Sequence, residues 1–528
     1  MIFTHQQSGY GETSILDRVG LLGMALLLMS PVIFKIQLTG NLIVHPSAIL
    51  LFAAWCWTGG VVSLAIKREG EIPVALRTVG TPLLLVGWMI GAQVGSLALN
   101  SLYRGSWQSG GWLLLLKQVL YVAPLPFVAL LVYRTPQRTI QLLSYGIPLV
   151  ALLTLAYSGV RFRQALGGFY TNTRSDSVLQ YVAMGTFGEV LTRDGLMLRF
   201  DTIGQGAYGM YLVLILTFSL TLTMFHSWGA QLPRWYPWGQ ALVVCPLAVV
   251  GIMFTGSRTS FILMSGVVLM LVGLLFTTRI EVLSRRRQTA FMVFVMLLAV
   301  MCMVVRHHAP RVSTSLDRAL DTVQYRFNLD ASAAPFGDKE EDRSTSVAHN
   351  VDMRIWLWGK TIRYLRDHPQ ALLIGIGHDR KRFLEEVIGL PYEGNLIHFH
   401  TAHNLFLDTL AKGGLMALAP LLILCMWVFR LAYSCLQSST EKQSLAVSGA
   451  GCLLFLFWPP FVLANLFGEE MFTDNLQLHW TILLGVLCGL WRGQTIPSSR
   501  TNSTGKPFSD AEKVRALGYN YEGSRACQ

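Results

Sequence analysis

The fold class this sequence predicts is an all-α polytopic membrane protein. Three observations carry the prediction. The chain has 528 residues, 52% of them hydrophobic and only 14% charged, where a soluble domain carries about 25% charged residues. Apolar runs of roughly 20 residues recur along it, the length that crosses ~30 Å of hydrocarbon as a helix. Lys and Arg gather in alternate short connections between those runs.

Twelve spans are expected, at 19–37, 42–66, 78–99, 111–133, 138–158, 206–225, 237–255, 259–278, 288–305, 404–429, 445–467 and 474–491. The first apolar run has no small-residue cleavage site after it and reads as a retained anchor. Lys67, Arg68 and Arg77 follow the second span, Arg134 and Arg138 the fourth, and Arg279 with Arg285 to Arg287 the eighth. The tail carries Arg492, Arg500, Lys506, Lys513, Arg515 and Arg525. All fall on one side, which the positive-inside rule makes cytoplasmic. The connection 468–473 has no Lys or Arg and fits the outer side.

Residues 1–305 then hold spans one to nine, with an outer loop at about 159–203. Residues 306–403 form the large outer loop with short helices, 404–491 the last three spans, and 492–528 a disordered cytoplasmic tail rich in Ser, Thr, Gly and charge. The net charge of +12 is spread over many short loops, which speaks for juxtamembrane anchoring and against a nucleic-acid partner. The cysteines show no CxxC and no regular spacing, so neither a disulfide framework nor a zinc ribbon is suggested.

In the large loop, DKEEDR at 338–343 sits in a flexible polar stretch. Ile355, Trp358, Ile362 and Leu365 follow a helical period and predict an amphipathic helix that Pro369 limits. GIG at 375–377 predicts a tight turn, and Gly413 and Gly414 allow close helix contact or a bend in span ten.

Several residues at the outer border can carry chemistry. HFHTAHN places His398, His400 and His403 just before span ten. A neutral imidazole suits general-base work, since its unperturbed pKa is about 6.5. Asn404 can orient that ring or a substrate, and Asp408 and Lys412 are spaced to pair on one helix face. The plain alternative is interfacial polarity, which suffices for His398 and His400. HxHxxH matches no zinc motif, which usually sets two His four apart on a helix with a carboxylate nearby, so no metal is expected.

TGSRTSF at 255–261 puts Arg258 in a tight turn between two spans, with Ser257 beside it. Guanidinium matches phosphate bidentately, although an arginine here can also snorkel to headgroups. Arg199 stands just before span six, where Asp201 can neutralise it, and Arg354 opens the loop helix, where a solvated helix start explains it equally. Lys117 lies within span four, and an intramembrane ionisable residue is a functional candidate. Together these groups suit an anionic, diphosphate-type substrate beside a hydroxyl that must lose a proton. No P-loop is present, which favours an energy-rich lipid donor over ATP, and no cofactor is expected.

GSRTSF, then RIWLWGKTIRYLRDHPQALLIGIG, then HNLFLDTLAKGGL, in that order between spans, resembles the O-antigen ligase and O-antigen polymerase superfamily of bacterial GT-C-type membrane glycosyltransferases. The resemblance runs from about 199 to 415. It implies a multi-pass inner-membrane enzyme working without a metal on the periplasmic face. Its donor would be an undecaprenyl-diphosphate-linked oligosaccharide or polysaccharide, its acceptor a glycan or lipid A-core, with membrane lipids around it and polysaccharide assembly proteins as partners. The family's essential histidine matches His403, and its arginines match Arg258, Arg354 and Arg199. The stretch after Arg199 lacks the Pro-Asn that many members show there. The motifs do not separate ligases from polymerases. Two other classes compete: a transporter such as a lipid-glycan flippase, which Lys117 keeps in view, and a non-catalytic member of an assembly complex.

Overall fold

A computed structural model describes residues 14–30, 36–39, 42–44, 46–69, 73–104, 109–172, 205–225, 228, 232–255, 257–277, 295, 347–377, 380–389, 401–437, 445–467 and 474–492. Seven of its helices are long and apolar enough to cross a membrane, and three more are apolar but shorter. The chain is a helical membrane protein, with one small hairpin beside the helices.

The hairpin sits where the first expected span should have continued. Helix α1 (Ile15–Met29) ends well before residue 37, and strands β1 (Ile36–Thr39) and β2 (Leu42–Val44) pair antiparallel, Ile36 opposite Val44. The sequence explains the correction. Pro31 follows Ser30 and has no N–H with which to continue the helical ladder, although Ser30 itself keeps helical angles. The helix is therefore 15 residues long, shorter than the expected span, and the chain goes on into the hairpin.

Helices α2 (Pro46–Glu69), α3 (Val74–Arg104) and α6 (Pro136–Asn172) follow expected spans. Span four is broken into α4 (Ser109–Val122) and α5 (Pro124–Arg134), because Pro124 has no N–H with which to continue the ladder. Helix α6 runs on to Asn172, so the outer segment expected from about 159 begins helically. Next come α7 (Gln205–Met224), α8 (Tyr236–Thr255) and α9 (Arg258–Thr277). Expected span 288–305 lies outside the described residues except for Val295, which is helical and buried. The segment 306–346, Arg199 and the tail from 493 also lie outside them.

The large loop contributes α10 (Val347–Asp367), α11 (Pro369–Ile374) and α12 (Arg380–Arg382), which passes into a π-helical turn, Phe383–Ile388. The bundle closes with α13 (Leu405–Gln437), α14 (Leu445–Ala464) and α15 (Asp474–Arg492).

Helix α7 is the axis of the bundle. Every side chain from Ala207 to Phe225 is buried, as expected of a helix apolar all round. Helix α15 packs on α5 through Gly485 and Gly489, one turn apart on one face. A Cβ at these positions would lie 2.8 Å from the Leu125 carbonyl oxygen and 2.7 Å from that of Ala129, the small-residue spacing that lets membrane helices approach closely. At one end, the Arg134 Nε donates to Asp17 Oδ1 over 2.6 Å and ties α5 to α1.

A second, smaller core forms outside the bundle. Trp356, Leu357 and Leu365 of α10 pack with Ala371, Ile376, Phe383, Leu384, Val387 and Ile388, and with Ala402 and Ala411. The amphipathic helix is therefore present, but its inward face matches the expected one only in part. Ile362 is 53% exposed, whereas Trp356, Leu357 and Thr361 are buried. Trp358 is only half-buried because it reaches sideways to the start of α13.

Overpacking a tight helix contact costs about 1–3 kcal/mol. Gly489→Val is expected to lower the melting temperature of the detergent-solubilised protein, whereas Leu269→Ala, on the exposed face of α9, is expected to leave it near wild type.

Candidate active site

The site end of the bundle is defined by contacts between helix ends. Asn404, just before α13, donates from Nδ2 to the Leu466 carbonyl over 2.9 Å, just after α14. At the other end of this pair, Gly451 of α14 packs on Cys435 of α13, so the two helices are antiparallel. Trp228, just past α7, packs on Gly449 near the start of α14, and Gly209 near the start of α7 packs on Ser260 near the start of α9. The starts of α7, α9 and α13 and the end of α14 therefore share one end of the bundle. The small core built on α10 sits there too: the Trp358 indole Nε1 donates to the Ala402 carbonyl over 2.8 Å, and its ring lies 6.0 Å from that of Phe467.

His403 stands at the centre of these contacts. Its φ is +49°, in the left-handed region. Such a conformation costs about 1–3 kcal/mol and persists only where its surroundings over-determine it. Those surroundings can be named. The Asn404 Oδ1 accepts from the backbone N–H groups of Phe406 at 3.0 Å and Leu407 at 3.1 Å, which makes Asn404 the N-cap of α13. Its amide is thus engaged at both ends, with the helix and with Leu466, so Asn404 fixes the turn after His403 rather than the imidazole itself. The His403 N–H points to Thr401 Oγ1 at 3.4 Å. On the other side, the Ala402 N–H donates to Asp408 Oδ1 over 3.3 Å. The expected i,i+4 pair is present, Lys412 Nζ donating to Asp408 Oδ2.

Below this turn α13 breaks. Gly414 has φ +66° and ψ −167°, which opens the helix and frees the carbonyls of Ala411 and Lys412. The GIG turn fills the breach. Ile376 N–H donates to Ala411 O over 2.7 Å and Gly377 N–H to Lys412 O over 3.0 Å, and the Ser96 hydroxyl of α3 adds a bond to Lys412 O over 3.0 Å. The two strands of backbone lie too close for side chains. A Cβ at Gly375 would fall 2.4 Å from the Lys412 carbonyl carbon, and one at Gly414 would fall 2.1 Å from the Leu373 carbonyl oxygen.

Arg382 locks the GIG turn from behind. Its guanidinium donates to Ile376 O over 2.9 Å, to Glu386 Oε2 over 2.7 Å and to Asn100 Oδ1 of α3. Tyr364 donates to the same Glu386 oxygen over 3.3 Å. Burial raises the Tyr364 hydroxyl above its ordinary value; the Arg382 charge opposes this and Glu386 reinforces it, so the group stays a neutral donor. Sequence reasoning missed Arg382, Glu386, Ser96 and Asn100. Arg382 and Glu386 stand four apart, a spacing that allows a helical ion pair, but their links to Ile376, Asn100 and Tyr364, and the roles of Ser96 and Asn100, are non-local and unmarked.

The arginine candidates are placed as follows. Arg258 is the first residue of α9, and Ser257 before it is the N-cap: the Ser260 N–H points to Ser257 Oγ at 3.4 Å, and the Ser260 and Thr259 hydroxyls surround the same oxygen at 2.8 and 3.0 Å. Ser257 is therefore committed to the helix start. A helix N-terminus favours anions, and an arginine there adds a full charge to the partial one. Arg354 does not open the loop helix as expected, because α10 starts at Val347; it is half-buried two turns in, one turn before Trp358 and so on the face that meets the His403 turn. Arg199 lies outside the described residues, six positions before α7 opens at this same end. Lys117 lies towards this end, two turns into α4, but its side chain is exposed rather than turned into the bundle. His398 and His400 lie outside the described residues. Among the described residues no three His, Cys, Asp or Glu gather in a group that could hold a metal ion.

A lipid-embedded helical bundle with a strained histidine turn and two arginine-bearing helices at one end is the framework of a membrane enzyme. Residues 241–422 match a family model described as O-antigen ligase, so that segment is an O-antigen ligase family domain. The chain is accordingly an enzyme of ligase or glycosyltransferase type, whose substrates are a lipid-linked glycan and an acceptor. The matched segment opens in α8 and closes in α13, and it encloses Arg258, Arg354 and His403; Arg199 and Lys117 fall outside it. Among curated proteins none matches the chain.

The Cβ positions at Gly375 and Gly414 leave no room for a methyl group. Gly414→Ala and Gly375→Ala are each expected to reduce the folded yield sharply in fluorescence-detected size exclusion. Asn404→Ala, which removes the cap, is expected to lower stability by about 1 kcal/mol and to slow transfer.

Proposed function

We propose that the chain is a bacterial inner-membrane glycosyltransferase that transfers or polymerises an undecaprenyl-diphosphate-linked glycan on the periplasmic face. The observation that carries this reading is the gathering of the His403 turn, the Arg258 helix start and the Arg354 helix at one end of the bundle, where lipid meets water. In this topology both termini are cytoplasmic, and the segments 159–203 and 306–403 stand on the periplasmic side with the site.

His403 is the general base in this mechanism. Its neutral imidazole takes the proton of the acceptor hydroxyl as that oxygen attacks the anomeric carbon of the donor. The bond from that carbon to the diphosphate oxygen breaks, and its electron pair leaves on the lipid diphosphate. Arg258 and Arg354, joined by Arg199, bind the diphosphate and stabilise the charge that develops on it. The imidazolium returns its proton to water. A single displacement of this kind inverts the anomeric carbon. No step calls for a metal or a cofactor.

Ligase and polymerase share this chemistry and differ in acceptor. A ligase moves a finished glycan to lipid A-core, and a polymerase extends a growing glycan or exopolysaccharide. A surface-glycan gel from a deletion strain, complemented with wild type or His403→Ala, tests the reading. His403→Ala is expected to fail to complement while reaching the membrane at wild-type level. Bare core with accumulating lipid-linked polymer identifies a ligase; single repeat units on core identify a polymerase. Full complementation by His403→Ala would remove the histidine mechanism. Arg258→Lys keeps the charge but loses the fork of donors, and is expected to raise the donor KM more than it lowers kcat.

A further inference from the structure

The Asp408–Lys412 pair is more enclosed than a surface ion pair, the two side chains being 8% and 18% exposed. Charges held this far from water are destabilising unless the remaining lone pairs find donors. Asp408 Oδ2 meets Lys412, and its Oδ1 is used on the Ala402 N–H. This second bond is not helix capping. With Asn404 at the cap, a capping box would reach from Leu407 back to the N–H of Asn404, and leucine has nothing with which to do so. Asp408 is one residue further into the helix and reaches two residues further out. It holds the residue before the histidine.

Ala402 is held from the opposite side as well. Its carbonyl accepts from the Trp358 indole, and its side chain is buried in the small core. Both polar groups of one residue are thereby engaged, one by α13 and one by α10, and the next residue is His403 at φ +49°. With Asn404 capping the helix on the far side, the backbone is fixed on both sides of the strained residue. The direction of the imidazole follows from that backbone.

We propose that Asp408, with Trp358, is a positioning residue for His403: the two grip Ala402 and so aim the imidazole at the acceptor hydroxyl, while Lys412 keeps the Asp408 carboxylate charged and in place. This rests on the reading of His403 as the base.

The test uses the full-length protein in detergent with lipid-linked glycan donor and acceptor, and reads kcat and donor KM. A misplacement of reacting groups by about 1 Å costs about 100-fold. Asp408→Ala is therefore expected to lower kcat by roughly that factor, with donor KM changed by no more than about twofold because ground-state binding is untouched. The double variant Asp408→Asn/Lys412→Met keeps an acceptor for the Ala402 N–H and strands no charge. It is expected to recover most of kcat. Trp358→Phe removes only the indole donor and is expected to lower kcat in the same way, which keeps the inference testable should Asp408→Ala not fold. Wild-type kcat in Asp408→Ala or in Trp358→Phe, or a double variant as slow as Asp408→Ala, would overturn the positioning role while His403→Ala is inactive. Wild-type turnover in His403→Ala would instead overturn the reading on which it rests.

Discussion

A broken helix is tolerable at membrane depth only if its freed carbonyls find donors inside the protein, and the active end of this molecule is built around that constraint. Gly414 interrupts α13, and the N–H groups of Ile376 and Gly377 take the carbonyls of Ala411 and Lys412. Lipid offers no donor for those oxygens, so the GIG turn cannot leave without stranding them. Once it is docked, α10 and α11 are fixed above α13, and Arg382 and Asn100 secure the turn to α3. The position of Trp358, and with it the His403 turn, descends from this junction.

The break also settles a matter of length. A continuous helix from Leu405 to Leu436 would be about 48 Å long, well beyond the ~30 Å of hydrocarbon. Interrupting it separates a short first part, carrying Asp408 and Lys412 among protein, from a second part with the apolar faces that lipid requires. Polar side chains can then crowd around His403 without entering the hydrocarbon. The starts of α9 and α13 add the positive ends of two helices. The same end thus carries two helix starts and a histidine in a strained backbone turn.

Much of this was legible in the sequence, where the signal was local. Span positions followed apolar length, the Asp408–Lys412 pair followed helical spacing, and the bend at Gly413–Gly414 followed the doubled glycine. Where a local pattern had two physical meanings, the reading went astray. The apolar run from Leu21 was long enough to span, but Pro31 divides it into a short helix and a hairpin strand. The period through Ile355, Trp358, Ile362 and Leu365 marked a helix correctly and its buried face only in part: Leu365 is buried and Trp358 packs on the small core, but Ile362 is exposed. Asn404, read as able to orient the histidine ring or a substrate, and Ser257, beside Arg258, both act as caps, a role their residue types serve at any helix start. GIG was readable as a turn but not as the partner of the Gly414 break. That pairing is non-local, and nothing in either segment names the other.

The segment that matches the O-antigen ligase family is not a self-sufficient unit. It holds most of α8, all of α9 to α12 with the π-helical turn, and the first part of α13. Yet Ser96 and Asn100 of α3, Gly209 of α7 and the Leu466 carbonyl after α14 all lie outside it, and each contacts the site end. Apart from the bond between Arg382 and Asn100, these outside contacts are with backbone or with small side chains. A carbonyl or a glycine face constrains position without demanding a particular partner sequence. Helices outside the matched segment can therefore hold the histidine turn and the glycine junction in place while their own lipid-facing sequences remain free to change. Within the segment the demands are sharper, since a Cβ at Gly375 or Gly414 has no space at all. The geometry thus accounts for why the recognisable motifs are GSR, GIG and HN: each lies where backbone conformation, not merely hydropathy, is dictated.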